Sequence, residues 1–398
     1  MKTLKTKYFI IFLMFTTLIY PQSKTQKVKT NISNKEIIEK IEESIYNLKY
    51  SQDFFKKRDA LNYIFDNIDK AKSIIEDTLE EEDDDILIAN LVQLIDISEK
   101  NFTPELIDKL IKRCKNKPSF VYNILKYFNN RKDYERIDTI FNNVFKEKNN
   151  LEAKYSVLMF IKENNFQKYK ELLIDYLLKT KSFFLSQEII NTLAALKIEN
   201  QELIKMIQFL GSIDEGVRNS AVNLFGQYPE LAAVLIKEFD NSNDFFFKDS
   251  IIKTLAYYDS NEEVLSFFLD NLEDNLYQKS IIMGLISFKI DKAEIINKLI
   301  DFYNNSDITV KSIIMNVFSL KYNNSSDDTK YIIFNFIKHE LTKAYNNKDV
   351  HSLYFILKSI LNISYNDSDV DKIIFLLKEN PLSWIIEKTV IQILDLKR

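Results

Sequence analysis

Four glycines and five prolines among 398 residues leave this chain almost without the residues that make tight turns. A sandwich or barrel of short strands needs them every few positions, and a phosphate-cradling loop needs several glycines together. Both are excluded in favour of helix. One cysteine, Cys114, excludes an internal disulfide framework. It lies in Lys112-Arg113-Cys114-Lys115, where neighbouring cations favour a reactive thiolate, but a small apolar residue near a helix end needs no reactivity. The only two histidines, His339 and His351, stand twelve residues apart across a helix break, with no carboxylates or thiols at metal-ligand spacing. No nucleophile elbow or dinucleotide fingerprint occurs either. The expectation is a non-enzyme without cofactor or metal. A formal charge of −4 gives no reason to expect nucleic acid or an anionic membrane as partner.

Of what is present, the first segment speaks to compartment. Lys2, Lys5 and Lys7 precede an apolar-to-neutral run of 13 residues, Tyr8 to Tyr20, which Pro21-Gln22-Ser23 ends. That run suits a signal-peptide core and falls short of the roughly 20 residues that span a bilayer. Residues 1–23 are therefore expected to be a signal peptide and the protein to be exported, to the periplasm or cell envelope. An uncleaved N-terminal anchor is the alternative. After cleavage no later segment is apolar enough to span a membrane. Residues 24–54 read as a polar stretch followed by a capping helix, Ile37 to Leu48, and residues 55–398 as one repeat domain.

The repeat is carried by Ser220-Ala221-Val222, Ser250-Ile251-Ile252, Ser280-Ile281-Ile282 and Ser312-Ile313-Ile314, with serines 30, 30 and 32 residues apart. Each opens an apolar pattern of helical period. Backward steps of 32 to 33 residues reach Glu188-Ile189-Ile190, Ser156-Val157-Leu158, Asn123-Ile124-Leu125 and Asn90-Leu91-Val92, and Ser352-Leu353 and Thr389-Val390 continue the series loosely. A second amphipathic helix falls between each pair, as at Tyr134 to Lys146 or Glu262 to Leu272. The unit is helix A, turn, helix B, and a lone pair of such helices cannot bury its apolar faces, so neighbours must stack. With little glycine, asparagine doublets such as Asn129-Asn130, Asn164-Asn165 and Asn346-Asn347 are expected to end helices in the left-handed conformation.

Residues 213–226 run Ile-Asp-Glu-Gly-Val-Arg-Asn-Ser-Ala-Val-Asn-Leu-Phe-Gly. This stretch resembles the HEAT repeat family, with its D-x-x-V-R-x-x-A pattern. The resemblance implies an all-α, right-handed α-α superhelix, a solenoid of about ten HEAT-like helical pairs. Asp214 is expected to cap helix B, Val217 to anchor its first turn, Ala221 to allow close helix approach and Gly226 to turn the chain out.

Three features bear on function. The run Glu80-Glu81-Glu82-Asp83-Asp84-Asp85 offers hard oxygen ligands, yet it lacks the alternation and glycine of a calcium loop and reads as an inter-helix turn. Trp384, the only tryptophan, is expected to close the C-terminal end of the core. Near the start of successive B helices come Lys154, Arg218, Lys248, Lys279 and Lys311. In HEAT solenoids helix B usually lines the concave face, so these five make a candidate basic ladder for a protein partner. The opposing reading is that they bond to neighbouring turns. The leading expectation is an exported protein-interaction scaffold, set against a lyase-like enzyme or accessory and a purely structural spacer.

Overall fold

The computed structural model describes residues 33–396 apart from 115–117, 148–149, 275, 286–287 and 289–292. The expected signal at residues 1–23 lies outside them. The described residues form helices and no strand, and none of these helices is long and apolar enough to cross a membrane. Contacts divide the chain into two units, the first ending at Phe166 and the second starting at Gln167.

The first unit holds α1 (Asn34–Tyr50), α2 (Phe54–Asp66), α3 (Ile68–Glu81), α4 (Asp85–Ile97), α5 (Pro104–Arg113), α6 (Pro118–Asn130), α7 (Tyr134–Lys146) and α8 (Leu151–Asn164). The second begins with α9 (Lys170–Lys179), α10 (Phe183–Leu193), α11 (Asn200–Met206), α12 (Glu215–Phe225), α13 (Ala232–Asn241), α14 (Phe245–Leu255) and α15 (Glu262–Asp270). It continues with α16 (Gln278–Leu285), α17 (Ala293–Asn305), α18 (Ile308–Tyr322), α19 (Asp327–Asn346), α20 (Val350–Ile360), α21 (Ser368–Glu379) and α22 (Trp384–Leu396). From α3 onward odd numbers are A helices and even numbers B helices, ten pairs in all. The helix α1 packs on α2 and on the first pair.

The B helices stack in sequence, α4, α6 and α8 in the first unit and α10 to α22 in the second. Inside a unit, a B helix such as α6 or α14 meets a B helix on either side as well as an A helix, so its apolar surface must run nearly all round. Val157, Leu158, Phe160 and Ile161 in α8, and Ala221, Val222, Leu224 and Phe225 in α12, are all buried. An A helix such as α5 buries only a stripe, Leu106, Ile107, Leu110 and Ile111.

Burial also corrects the register at the end of the series. The buried pair in α18 is Ile314-Met315, one residue later than Ser312 implies, and in α20 it is Ile356-Leu357, three later than Ser352 implies. The long step between them arises because α19 spans 20 residues.

Aspartate is the commonest side-chain cap at helix starts among the described residues. Asp214 accepts the Val217 N–H at 2.9 Å, and Asp244 and Asp307 do the same for Phe247 and Val310. Helix ends depart from expectation. Among the described residues, left-handed backbone occurs at Glu99, Lys132, Asn165 and Lys348, so only one described residue of the asparagine doublets adopts it. In all four places the next N–H reaches back five residues, as from Asp133 to the Phe128 carbonyl at 2.9 Å, the bond of a Schellman end. Gly226 is right-handed at φ −57°, so it is not there to turn the chain. A Cβ at that position would lie 2.8 Å from the Tyr257 ring of the next repeat, and close approach is what requires glycine.

Polar side chains at helix ends tie each repeat to the one before. Tyr127 and Tyr228 accept the N–H groups of Phe102 and Ile198, and the Tyr258 hydroxyl donates to the Phe225 carbonyl at 2.8 Å. Arg131 is the densest tie. Its guanidinium pairs with the buried Asp96 at 2.7 Å, donates to Asn101 and the Lys100 carbonyl, and lies 3.6 Å from the centre of the Tyr127 ring. The acidic run serves the same purpose. Lys49 donates to both Glu82 oxygens, Lys109 pairs with Glu80 at 2.8 Å, and Arg113 pairs with Asp83 and donates to the Glu82 carbonyl. Asp84 meanwhile caps α4 through the Leu87 N–H. The run is a solvated turn held by three cations, as its sequence suggests.

Two predictions follow from these ties. Arg131→Met leaves the Asp96 carboxylate buried without its cation, which should cost about 2–4 kcal/mol in urea unfolding. Asp96→Asn in the same chain should recover part of that loss, because the uncompensated charge is gone. The second concerns acid. Burial alone would raise the Glu82 pKa, but bonds from Lys49 and from the Asp84 and Asp83 N–H groups hold it below the ordinary 4.5. Glu202, bonded by Lys170 at 2.8 Å, is lowered by the same balance. A lowered folded pKa means the stabilisation is present above about pH 4.5 and is lost as pH falls through the folded value. The urea midpoint should hold down to about that pH and then fall, and Glu82→Gln should flatten the fall.

Candidate interaction surface

A B helix packed by neighbours has one direction left for solvent, the residue directly after its buried pair. In the second unit that position holds Asn191, Asn223, Lys253, Met283, Asn316 and Lys358, on α10 to α20 in order. Two members of this row are bonded to residues beside it. Tyr257 donates to Asn223 at 3.0 Å, and Asp249 accepts from both Lys253 at 2.7 Å and Ser280 at 2.5 Å.

Between α18 and α20 the face opens into a groove of about 690 Å³. Ile308, Ser312 and Asn316 line one wall at helical spacing, and His351, Tyr354, Phe355 and Lys358 line the other. His351 and Lys358 are exposed, and Lys358 Nζ stands 6.0 Å from the centre of the Tyr354 ring. The groove's serines are bonded into their own helices. Ser312 donates to the Thr309 carbonyl at 2.7 Å and Ser359 to the Phe355 carbonyl at 3.1 Å, so neither hydroxyl is held as a nucleophile beside a base. What remains is a cation, an imidazole, an amide and two aromatic rings facing solvent together. That set suits a peptide segment carrying carboxylates and apolar side chains.

A second cleft, about 650 Å³, lies between α15 and α17 and is lined by Asp270, Glu273, Asp301 and Asp307 with Lys298. Asp307 is already the cap of α18.

The five ladder residues do not form one surface. Lys154 is 1% exposed inside the first unit, so it presents no charge to a partner. Arg218 turns back to donate to the Ser212 and Ile213 carbonyls at 2.6 and 3.1 Å and covers the Phe246 ring. Lys248 lies 4.3 Å from the centre of the Phe239 ring, and Lys311 lies 5.3 Å from that of Tyr303, each on a preceding A helix. Lys279 alone of the five is exposed. The reason is electrostatic: a cation in the first turn faces the positive end of the helix dipole, and a carbonyl or aromatic face relieves it. Of the five, Arg218 bonds to a turn, and Lys248 and Lys311 lie on rings.

Other sequence expectations resolve here. Cys114 is wholly buried, and that burial pushes its thiol far above the ordinary range, the opposite of a reactive thiolate. Trp384 is 72% exposed rather than closing the core, because it stands at the first position of α22, ahead of the buried stripe that starts at Ile386. The groove residues Asn316 and Lys358 stand in the outward column only once the register is read from burial, one residue later than Ser312 implies and three later than Ser352 implies, whereas the ladder followed charge in a column that mostly turns inward.

No protein-family model matches the chain, and no curated protein matches it. Solved structures do. A crystal structure of Kap121p matches with a TM-score of 0.60 at 14% identity, over 98% of this chain and 48% of that one. The karyopherin Kap121p bound to the extreme C-terminus of the protein phosphatase Cdc14p matches with a TM-score of 0.62 at 12% identity, over 90% and 46%. Kap121p bound to Nup53p matches at 0.61 and 12%, over 90% and 45%. The chain thus spans about half the length of the structures it resembles. The likeness is one of fold, an all-α solenoid of HEAT-like pairs.

The buried and exposed rungs of the ladder should separate in one assay. Lys154→Glu should destabilise the protein by about 2–4 kcal/mol, whereas Lys279→Glu should stay within about 0.5 kcal/mol of the parent in urea unfolding.

Proposed function

We propose that this chain is an exported protein-interaction scaffold that holds a segment of a partner protein in the groove between α18 and α20. The observation that carries this reading is the groove itself. Its walls bring His351, Lys358, Asn316 and two aromatic rings to solvent, while Arg218, Lys248 and Lys311 of the ladder are folded against turns and rings. Kap121p, on the same fold, has been solved with the C-terminus of Cdc14p and with Nup53p, which supports a solenoid of this kind as a holder of protein segments. If helix B lines the inner side here as in HEAT repeats generally, the groove lies on the concave face. Export rests on the basic-apolar start of the sequence, with Lys2, Lys5 and Lys7 ahead of the run from Tyr8 to Tyr20.

A photo-crosslinking residue at Asn316, compared with one at the exposed Tyr331 on α19, tests the assignment in native envelope extract. A discrete adduct from position 316, absent at 331 and weakened roughly tenfold or more by Lys358→Glu, is the expected result. Equal adducts at both positions, or an adduct indifferent to Lys358→Glu, would reject the groove.

A further inference from the structure

The start of the B helices carries a second regularity. Phe183, Ile213, Phe245, Leu276 and Ile308 recur every 30 to 32 residues, at or just before the first turn of α10, α12, α14, α16 and α18. They are 47%, 79%, 47%, 71% and 48% exposed. Scattered apolar residues on a surface need no explanation, but five at one register position of five consecutive repeats share one edge of the second unit. Packed helices lie about 8–10 Å apart, so the row runs for roughly 35–40 Å. At roughly 100 Å² for each side chain it exposes on the order of 500 Å² of apolar surface, the scale of the largest patch on a typical monomer.

Charge along this edge is mixed at four of the five positions. Asp214 stands beside Arg218, Asp244 beside Lys248, Asp274 beside Lys279 and Asp307 beside Lys311. The four carboxylates all accept N–H groups at or next to their helix starts. A uniformly acidic or basic partner gains little from such an edge.

We infer that this row is the contact surface of a homodimer, in which two copies pair edge to edge and antiparallel. A second copy has the same repeat pitch by construction, so apolar residues meet along the whole row without adjustment. Two rows of this size with their polar margins reach the roughly 1,200 Å² of a small stable interface. With the two-fold axis at the middle repeat, Phe245 faces its own counterpart and Ile213 faces Leu276. Such a contact is isologous and closes at two copies. Ile308 also lines the groove between α18 and α20, so the test leaves it unchanged.

Sedimentation equilibrium of the full chain should show a reversible dimer. Ile213→Glu with Leu276→Glu should weaken association at least roughly tenfold while circular dichroism stays unchanged. The buried Cys114 leaves introduced cysteines without a native competitor. Phe245→Cys should therefore crosslink to itself, and a mixture of Ile213→Cys and Leu276→Cys chains should give the mixed disulfide in preference to either symmetric one. A chain that stays monomeric to its solubility limit, or a glutamate variant that dimerises as the parent does, overturns the inference. So does a monomer that sediments with lipid vesicles and loses that binding in the glutamate variant, since the row would then belong to a bilayer surface.

Discussion

A B helix in this protein is enclosed on three sides, by the B helix before it, the B helix after it and the A helices behind. Four of five residues around each buried pair are therefore committed to packing, as at Ala221, Val222, Leu224 and Phe225. Nearly everything else about the fold follows from that enclosure. The A helices need only one apolar stripe, and the outward residue after each buried pair is left to vary. Helix ends become the main places where polar groups of one repeat can reach the next. The chain fills those ends with tyrosine hydroxyls, arginine forks and aspartate caps, so that backbone groups left over by the helices find partners across repeats.

The same economy decides where charge can act. A lysine in the first turn of a B helix looks free in a sequence, but it stands at the positive end of the helix beside an aspartate cap. Lys248 and Lys311 settle on aromatic rings and Arg218 on carbonyl oxygens, each within its own neighbourhood. Lys358 sits near the other end of its helix, past the buried pair, where it stays exposed at 6.0 Å from the centre of the Tyr354 ring. Position along the helix separates structural cations from available ones more sharply than the number of cations does.

The architecture was legible because its signal is redundant. Apolar period, spacing of about 30 residues and aspartate or asparagine caps agreed over most of the chain, and the pairs they marked are the pairs that form. Legibility failed where a local rule had two solutions. Gly226 suggested a turn, but the conformation is ordinary and the space beside Tyr257 is the constraint, which involves a residue 31 positions away. Asparagine doublets suggested left-handed ends, yet Lys132 and Lys348 take that conformation one or two residues later. Ser312 and Ser352 kept the look of the repeat while the buried pair had moved on. The groove was not legible as a site, because its walls come from two helices whose facing residues are 35 or more positions apart.

The tyrosine ties have a consequence for how such a chain can grow or shrink. Tyr258 completes the backbone of the repeat before it, and Tyr228 completes the one before that. A helical pair excised at its own boundaries would leave one carbonyl or amide open behind it and one hydroxyl with nothing to hold. The segment that can be duplicated or deleted cleanly therefore reaches a few residues past the helical pair: it begins after one tyrosine and ends with the next. The ancestral module of this array, on that reasoning, would have its gene boundaries just past the ends of the B helices, and each copy would arrive already carrying the fastener for its predecessor.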